Sequence, residues 1–233
     1  KPGTASFAMS LLDEGTKHLD SLAIAARAES LGADLAAGSS LDSSFGAVSA
    51  LTENLDPSIG LLADVLRNPA FPDGEIERVR KEWLASIARE KTSPDALASR
   101  LLPPLIYGSG HPYAIPFTGT GTEASISSLT RDDLVAFHRD WIRPDNATLV
   151  VVGDTTPGAV LPMLERHFGD WQTPASAKPA KTLPAAAPPA APRVFLVDKP
   201  GAIQSNILVG LAAPSTAAPN KLEMDTMNAV LAG

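Results

Sequence analysis

Cysteine is absent from all 233 residues. This excludes disulfides, a thiolate metal site and a cysteine nucleophile, and it suits any compartment, an oxidising periplasm included. There is no Lys/Arg run, and the formal net charge is −7. An acidic chain without a basic patch is a poor match for nucleic acid or an anionic membrane surface. Trp83, Trp141 and Trp171 therefore read as core or interface anchors rather than a base-stacking platform. No apolar stretch approaches the ~20 residues of a membrane-spanning helix. His18, His111, His138 and His167 share no i, i+3 or i, i+4 spacing, so no local histidine pair is poised for a metal. No G-x-S-x-G elbow is present. Gly119, Gly121 and Gly153 do not lead from a strand into a helix as a dinucleotide loop would. No signal peptide is visible: the chain opens on Lys1 and closes on Gly233 directly after a helical pattern. These ends predict an internal fragment of a longer polypeptide, with any targeting signal upstream.

What remains is a chain able to build a normal core, 44% hydrophobic and 19% charged, and long enough for one large domain or two modest ones. Asp20 is a good N-cap for a helix over 21–30, with Gly32 just past its end. Residues 34–40 and 45–52, around Asp42–Ser43, read as a strand pair. Asp56–Pro57 opens a helix to Arg67, stopped by Asn68–Pro69. Ile76, Val79, Trp83, Leu84 and Ile87 fall on one stripe of a helix over 73–91. Pro94–Asp95 starts another, which Pro103–Pro104 is expected to interrupt. Thr130 and Asp133 form a capping box for a helix to about Ile142. Residues 147–153 (ATLVVVG) read as a short buried strand, and 157–168 as a helix. From Pro174 to Pro192 the composition turns to Pro, Ala, Lys and Ser, which reads as a linker. Beyond it, 193–197 and 203–211 read as strands and 220–231 as a helix.

The segment SFAMSLLDEGT, residues 6–16, resembles the helix that carries the inverted zinc motif H-x-x-E-H in peptidases of the pitrilysin/insulinase family, where the motif is followed by an apolar pair and Gly-Thr. Other segments resemble the family in the same order. They are YGSGHPYAIPFTGT (107–120), SLTRDDLVAFHRDWIRPDNATLVVVGD (128–154), HFGDW (167–171) and VDKPGAIQSNILVG (197–210). Each is weak alone; together they cover nearly the whole chain. Aligned on Gly15–Thr16, the first histidine falls on Ser6, the glutamate on Met9 and the second histidine on Ser10. The family's third ligand, a glutamate on a later helix, falls on Ser86 within EWLASIARE.

The resemblance thus implies a non-catalytic site. A zinc peptidase needs about three protein ligands and a carboxylate that deprotonates the bound water. Serine hydroxyls are neutral and short, and the Met9 thioether has no basicity. Glu82 and Glu90, off the ligand position on the same helix, read as solvated charges. His111, before Pro112, reads as structural. His138 is expected to straddle the surface, and His167 to sit at a helix end where the dipole favours a cation.

The fold this resemblance implies is α+β: an antiparallel sheet with helices packed on one face, the LuxS/processing-peptidase type of metallopeptidase sandwich, incomplete at both ends. Residues 1–173 would form a first peptidase-like unit lacking its first two strands, which would lie upstream of Lys1. Residues 174–192 would be the linker, and 193–233 the start of a second homologous unit. The implied role is the half of a zinc endopeptidase that closes the chamber and binds the peptide, inactive alone, with no metal or cofactor of its own. Zinc is expected in a homologous partner half, on the same chain or a separate subunit. The alternatives are a structural subunit, like the core subunits of a respiratory complex, and a stand-alone peptide-binding module.

Overall fold

The computed structural model describes residues 1–186, 191–215 and 217–232; residues 187–190 of the expected linker lie outside the described residues. Its elements run α1 (Thr4–Met9), α2 (Ser21–Leu31), β1 (Asp34–Ser39), β2 (Ser44–Ser49), α3 (Leu55–Arg67), α4 (Asp73–Glu90), α5 (Pro94–Tyr107), α6 (Glu123–Ser127), α7 (Arg131–Trp141), α8 (Pro157–Phe168) and α9 (Lys221–Ala232). Helices dominate. The sheet found among the described residues is the antiparallel pair β1–β2, with Asp34 opposite Ser49 and Ser39 opposite Ser44.

Local chemistry sets most helix starts. The Asp20 carboxylate accepts from the Ala23 amide at 2.8 Å, and Gly32, at φ 59°, closes α2 in the left-handed conformation. Thr130 and Asp133 form a complete capping box on α7, and Thr122 and Ser125 form another on α6. Asp56 is not the cap of α3: a 3₁₀ turn over Thr52–Asn54 feeds the helix at Leu55. Asp56 sits in the first turn instead, where it meets Arg166 and His167 of α8. The expected break at Pro103–Pro104 is absent. Each proline removes one amide donor, yet Pro103 is buried and α5 runs on to Tyr107, where the Gly108 amide reaches Pro104 O at 3.0 Å.

One apolar core joins α1–α4, α6 and α7. Phe7, Met9, Leu11 and Leu12 from α1 and its following turn pack with Ile24, Leu61, Val65, Phe71, Ile76, Ile87, Ile126 and Leu134. Burying such side chains stabilises by roughly 1.5–3 kcal/mol each.

The expectation of a buried strand over 147–153 is corrected. The run carries no ladder among the described residues; Val150 is 78% and Val152 93% exposed. β-branched residues favour the extended form, but a strand is buried only when neighbours cover its edges and faces. The segments over 193–197 and 203–211 likewise lack ladder partners. They flank a turn in which the Ala202 amide bonds Lys199 O at 3.1 Å, with Pro200 and then Gly201 at φ 79° in its central positions.

The expected linker contains no helix or strand in its described part, but side chains tie it down. Arg143 donates to Ser176 O at 3.0 Å and Lys181 to Asp42 O at 2.6 Å, and His111 Nε2 lies 2.9 Å from Pro184 O.

Candidate functional site

α1 stops one residue short of Ser10. It ends at Met9 because the Ser10 hydroxyl donates to Phe7 O at 3.0 Å, and the Leu11 amide turns back to Ala8 O at 3.2 Å. Gly15–Thr16, the anchor of the alignment, has a structural task. The Thr16 hydroxyl donates to the Asp64 carboxylate at 2.7 Å, and the Ala70 amide bonds Gly15 O at 2.9 Å. The dipeptide thus fastens the end of the motif segment to the α3–α4 junction, a role independent of any metal.

The motif positions are in three settings. Ser6 is half-buried under the loop over 118–121: a β-carbon added at Gly119 would lie 2.9 Å from its hydroxyl oxygen. Met9, 1% exposed, belongs to the core and to the wall of a cleft. Ser10 turns its hydroxyl onto its own helix. Phe7 meets Trp83 edge-on, ring centroids 5.5 Å apart, which brings α4 against α1 with Ser86 half-buried one turn beyond Trp83. These residues do not fit a zinc ion. Three hydroxyls and a buried thioether offer neither a charge nor a base, and the Ser10 proton is committed to a carbonyl. Among the described residues no group of three or more His, Cys, Asp or Glu is gathered closely enough to hold a metal.

The loop over residues 118–121 is held by two side chains. Trp83 Nε1 donates to Thr120 O at 2.9 Å. Arg100, its side chain 7% exposed, donates to the Thr120 hydroxyl at 2.8 Å and to Gly121 O at 2.6 Å, and it ion-pairs with Glu90. Gly119 at φ 72° and Gly121 at φ 74° supply the left-handed turns. The reading of Glu90 as a solvated charge is corrected: Glu90 belongs to this largely buried pair, whereas Glu82 is exposed beside Arg78. Sequence reasoning missed Arg100 altogether. Its partners come from the end of α4 and from a loop 20 residues later, and no local pattern signals that.

The histidines each have a partner. His18 Nδ1 lies 2.6 Å from Asp64. Burial pushes the Asp64 carboxyl up, but hydrogen bonds from Thr16, Asn68 and His18 outweigh it and hold the group below the usual carboxylate range. His138 bonds Leu66 O through Nε2 at 2.7 Å, and burial draws its pKa below the ordinary imidazole value, with nearby Lys17 adding to the fall. His167 Nε2 lies 3.0 Å from Asp56. His111 stacks on Tyr107 and accepts from the Tyr113 amide at 3.0 Å. Among the described residues no histidine bonds a serine hydroxyl.

Beside α1 lies a cleft of about 1410 Å³. Its walls include Met9, β2, the 149–152 run, Trp141, Trp171 and Arg143. Trp141 and Trp171 therefore face a hollow rather than the core proper.

Two family models match the chain in tandem: "Insulinase (Peptidase family M16)" over residues 1–112 and "Peptidase M16 inactive domain" over residues 128–233. The human mitochondrial-processing peptidase subunit beta is 27% identical over 168 residues, covering 72% of this chain and 34% of its own length. An uncharacterized zinc protease of Mycobacterium leprae is 26% identical, covering 99% of this chain and 51% of that protein. The chain thus spans about half, or less, of the length of these curated relatives. Among solved structures, the peptidase M16 inactive domain from Pseudomonas fluorescens superposes with a TM-score of 0.72 at 28% identity, covering 81% of this chain and 45% of that one. The periplasmic protease PqqL of Escherichia coli, at 20% identity, shares the fold with a TM-score of 0.69 over 80% of this chain and 21% of its own. The first half of that protease, solved separately, also matches. No helix among the described residues is long and apolar enough to cross a membrane. With both models of one family in sequence order, this chain belongs to the insulinase (M16) peptidase family.

Proposed function

We propose that this chain is the non-catalytic half of a zinc metalloendopeptidase of the pitrilysin/insulinase type, and that it closes the chamber and binds the peptide. The observation that carries the reading is the state of the motif segment. The family frame is retained, while Ser6, Met9, Ser10 and Ser86 stand where ligands and base would be, with Met9 sunk in the core. Such a site has no route to activate water. A chamber with two walls still needs this half, because an extended peptide is held by main-chain hydrogen bonds that demand little of side chains. Zinc belongs to the homologous partner half. Residues 1–173 would be a peptidase-like sandwich and 193–233 the start of a second such unit, joined by the 174–192 linker.

The test is peptide cleavage by the zinc-bearing half with and without this chain. The proposal expects cleavage to be abolished without it while zinc stays bound. Equal cleavage by the zinc half alone would contradict it and favour a purely structural subunit.

A further inference from the structure

We propose that His111–Pro112–Tyr113 is a clasp that fastens the segment 176–184 to the tip of the β1–β2 hairpin, and that Tyr113 acts on this segment only through Asp42. The tripeptide has a fixed shape. Gly108 and Gly110, at φ 81° and 87°, turn the chain after α5. The Ala114 amide then bonds His111 O at 2.9 Å, which closes a turn with Pro112 in its second position, where the locked φ of proline fits. Within the turn His111 Nδ1 accepts from the Tyr113 amide at 3.0 Å. The neutral ring therefore carries its proton on Nε2, which donates to Pro184 O 2.9 Å away. Tyr107 stacks on the imidazole at 4.8 Å between centroids and holds it in place.

The second grip is indirect. The Tyr113 hydroxyl donates to the Asp42 carboxylate at 2.7 Å, and the carbonyl of Asp42 accepts from Lys181 Nζ at 2.6 Å. Among the described residues Tyr113 has no hydrogen bond to 174–186 itself. The bond to the Asp42 carboxylate, with burial adding to it, pushes the Tyr113 phenol up to about 12, so it remains a donor at neutral pH. Lys181 Nζ also lies 5.9 Å from the centre of the Trp141 ring. Arg143 holds the near end of the segment at Ser176 O, and beyond residues 187–190 Arg193 donates to Leu105 O of α5 at 2.6 Å. The chain is thus tied to the stretch from α5 to Tyr113 on both sides of residues 187–190. No residue of 174–186 is buried, so polar ties rather than a core decide whether the segment is held.

Trypsin cutting at the Lys181–Thr182 bond of the full polypeptide tests this. Tyr113→Phe removes one hydroxyl that does not touch the segment, and should speed this cut about fivefold while leaving the Lys221–Leu222 cut and the urea midpoint unchanged. Asp42→Ala should speed it at least as much, and Tyr113→Phe added to Asp42→Ala should change nothing further. His111→Phe, which keeps the stack on Tyr107 and loses the bond to Pro184 O, should speed it as well. An unchanged cut in Tyr113→Phe, or a further increase when it is combined with Asp42→Ala, would overturn the proposal. Equal acceleration at Lys221–Leu222 would overturn it too, because the whole chain rather than the clasp would have loosened.

Discussion

Ser6 and Gly119 are in contact: the serine hydroxyl lies where it would be only 2.9 Å from any β-carbon on the glycine. The motif helix and the loop above it therefore fit each other through the absence of one side chain. Gly119 is also at φ 72°, a conformation that costs an L-residue about 1–2 kcal/mol. Gly119→Ala should lower stability by at least that amount in urea denaturation, whereas Gly32→Ala, left-handed at φ 59° with open space at the β-carbon, should show the backbone cost alone.

Met9, which the proposed reading puts at the glutamate position of the motif, is sealed in the core. Met9→Glu would bury an unpaired carboxylate and should cost roughly 3–5 kcal/mol. Met9→Leu conserves volume and should cost less than about 1.5 kcal/mol. Thermal unfolding of the two variants checks the difference; equal, small shifts would mean that the position is open to solvent.

Glu90 and Arg100 hold the loop from below. Arg100→Met strands Glu90 in a largely buried site, at a cost of roughly 3–5 kcal/mol. Replacing both by methionine should recover a large part of that loss, because the unpaired charge goes with its partner. A double variant as unstable as the single one would show that the ion pair itself carries the stability.

The pH dependence follows from His138 and Asp64. His138 has a folded pKa below its ordinary 6.5, so the unfolded chain takes up its proton first as pH falls. Stability from this residue is present above that value and is lost below it. His138→Asn, which keeps a donor for Leu66 O without titrating, should flatten the fall in urea midpoint between about pH 7 and pH 5. Asp64, held below its ordinary 3.8, contributes stability above that value that disappears as pH falls through its folded pKa. Asp64→Ala should remove this acid-range component and free Thr16 and Asn68.

Limited proteolysis should make its first cuts within residues 174–211, whose described residues lie outside helices and ladders, and leave a core ending near Trp171. Lys181→Ala, which releases the tie to Asp42 O, should speed cutting in the linker. First cuts inside α4 would contradict the proposed domain boundary.

The sequence was most legible where the chemistry is local. Asp20, Gly32, Thr130 and Asp133 announced their helix ends because a cap needs only residues three or four apart. It was less legible where structure depends on distant partners. Residues 147–153 have the composition of a strand, but whether a strand is buried depends on neighbours that no local pattern contains. Glu90 looked like a surface charge because Arg100 and Thr120 reach it only once α5 and the 118–121 loop have packed. Pro103–Pro104 looked like a break because propensity ignores the burial of Pro103. The motif positions could be placed only through the family frame, since nothing in the chemistry of two serines and a methionine marks a site.

The most direct measurement is the zinc content of the purified chain by elemental analysis after dialysis against trace zinc. Because the proposed reading puts Ser6, Met9, Ser10 and Ser86 at the ligand and base positions, it predicts far less than one equivalent per chain. One stoichiometric zinc ion, removable by a chelator, would contradict it.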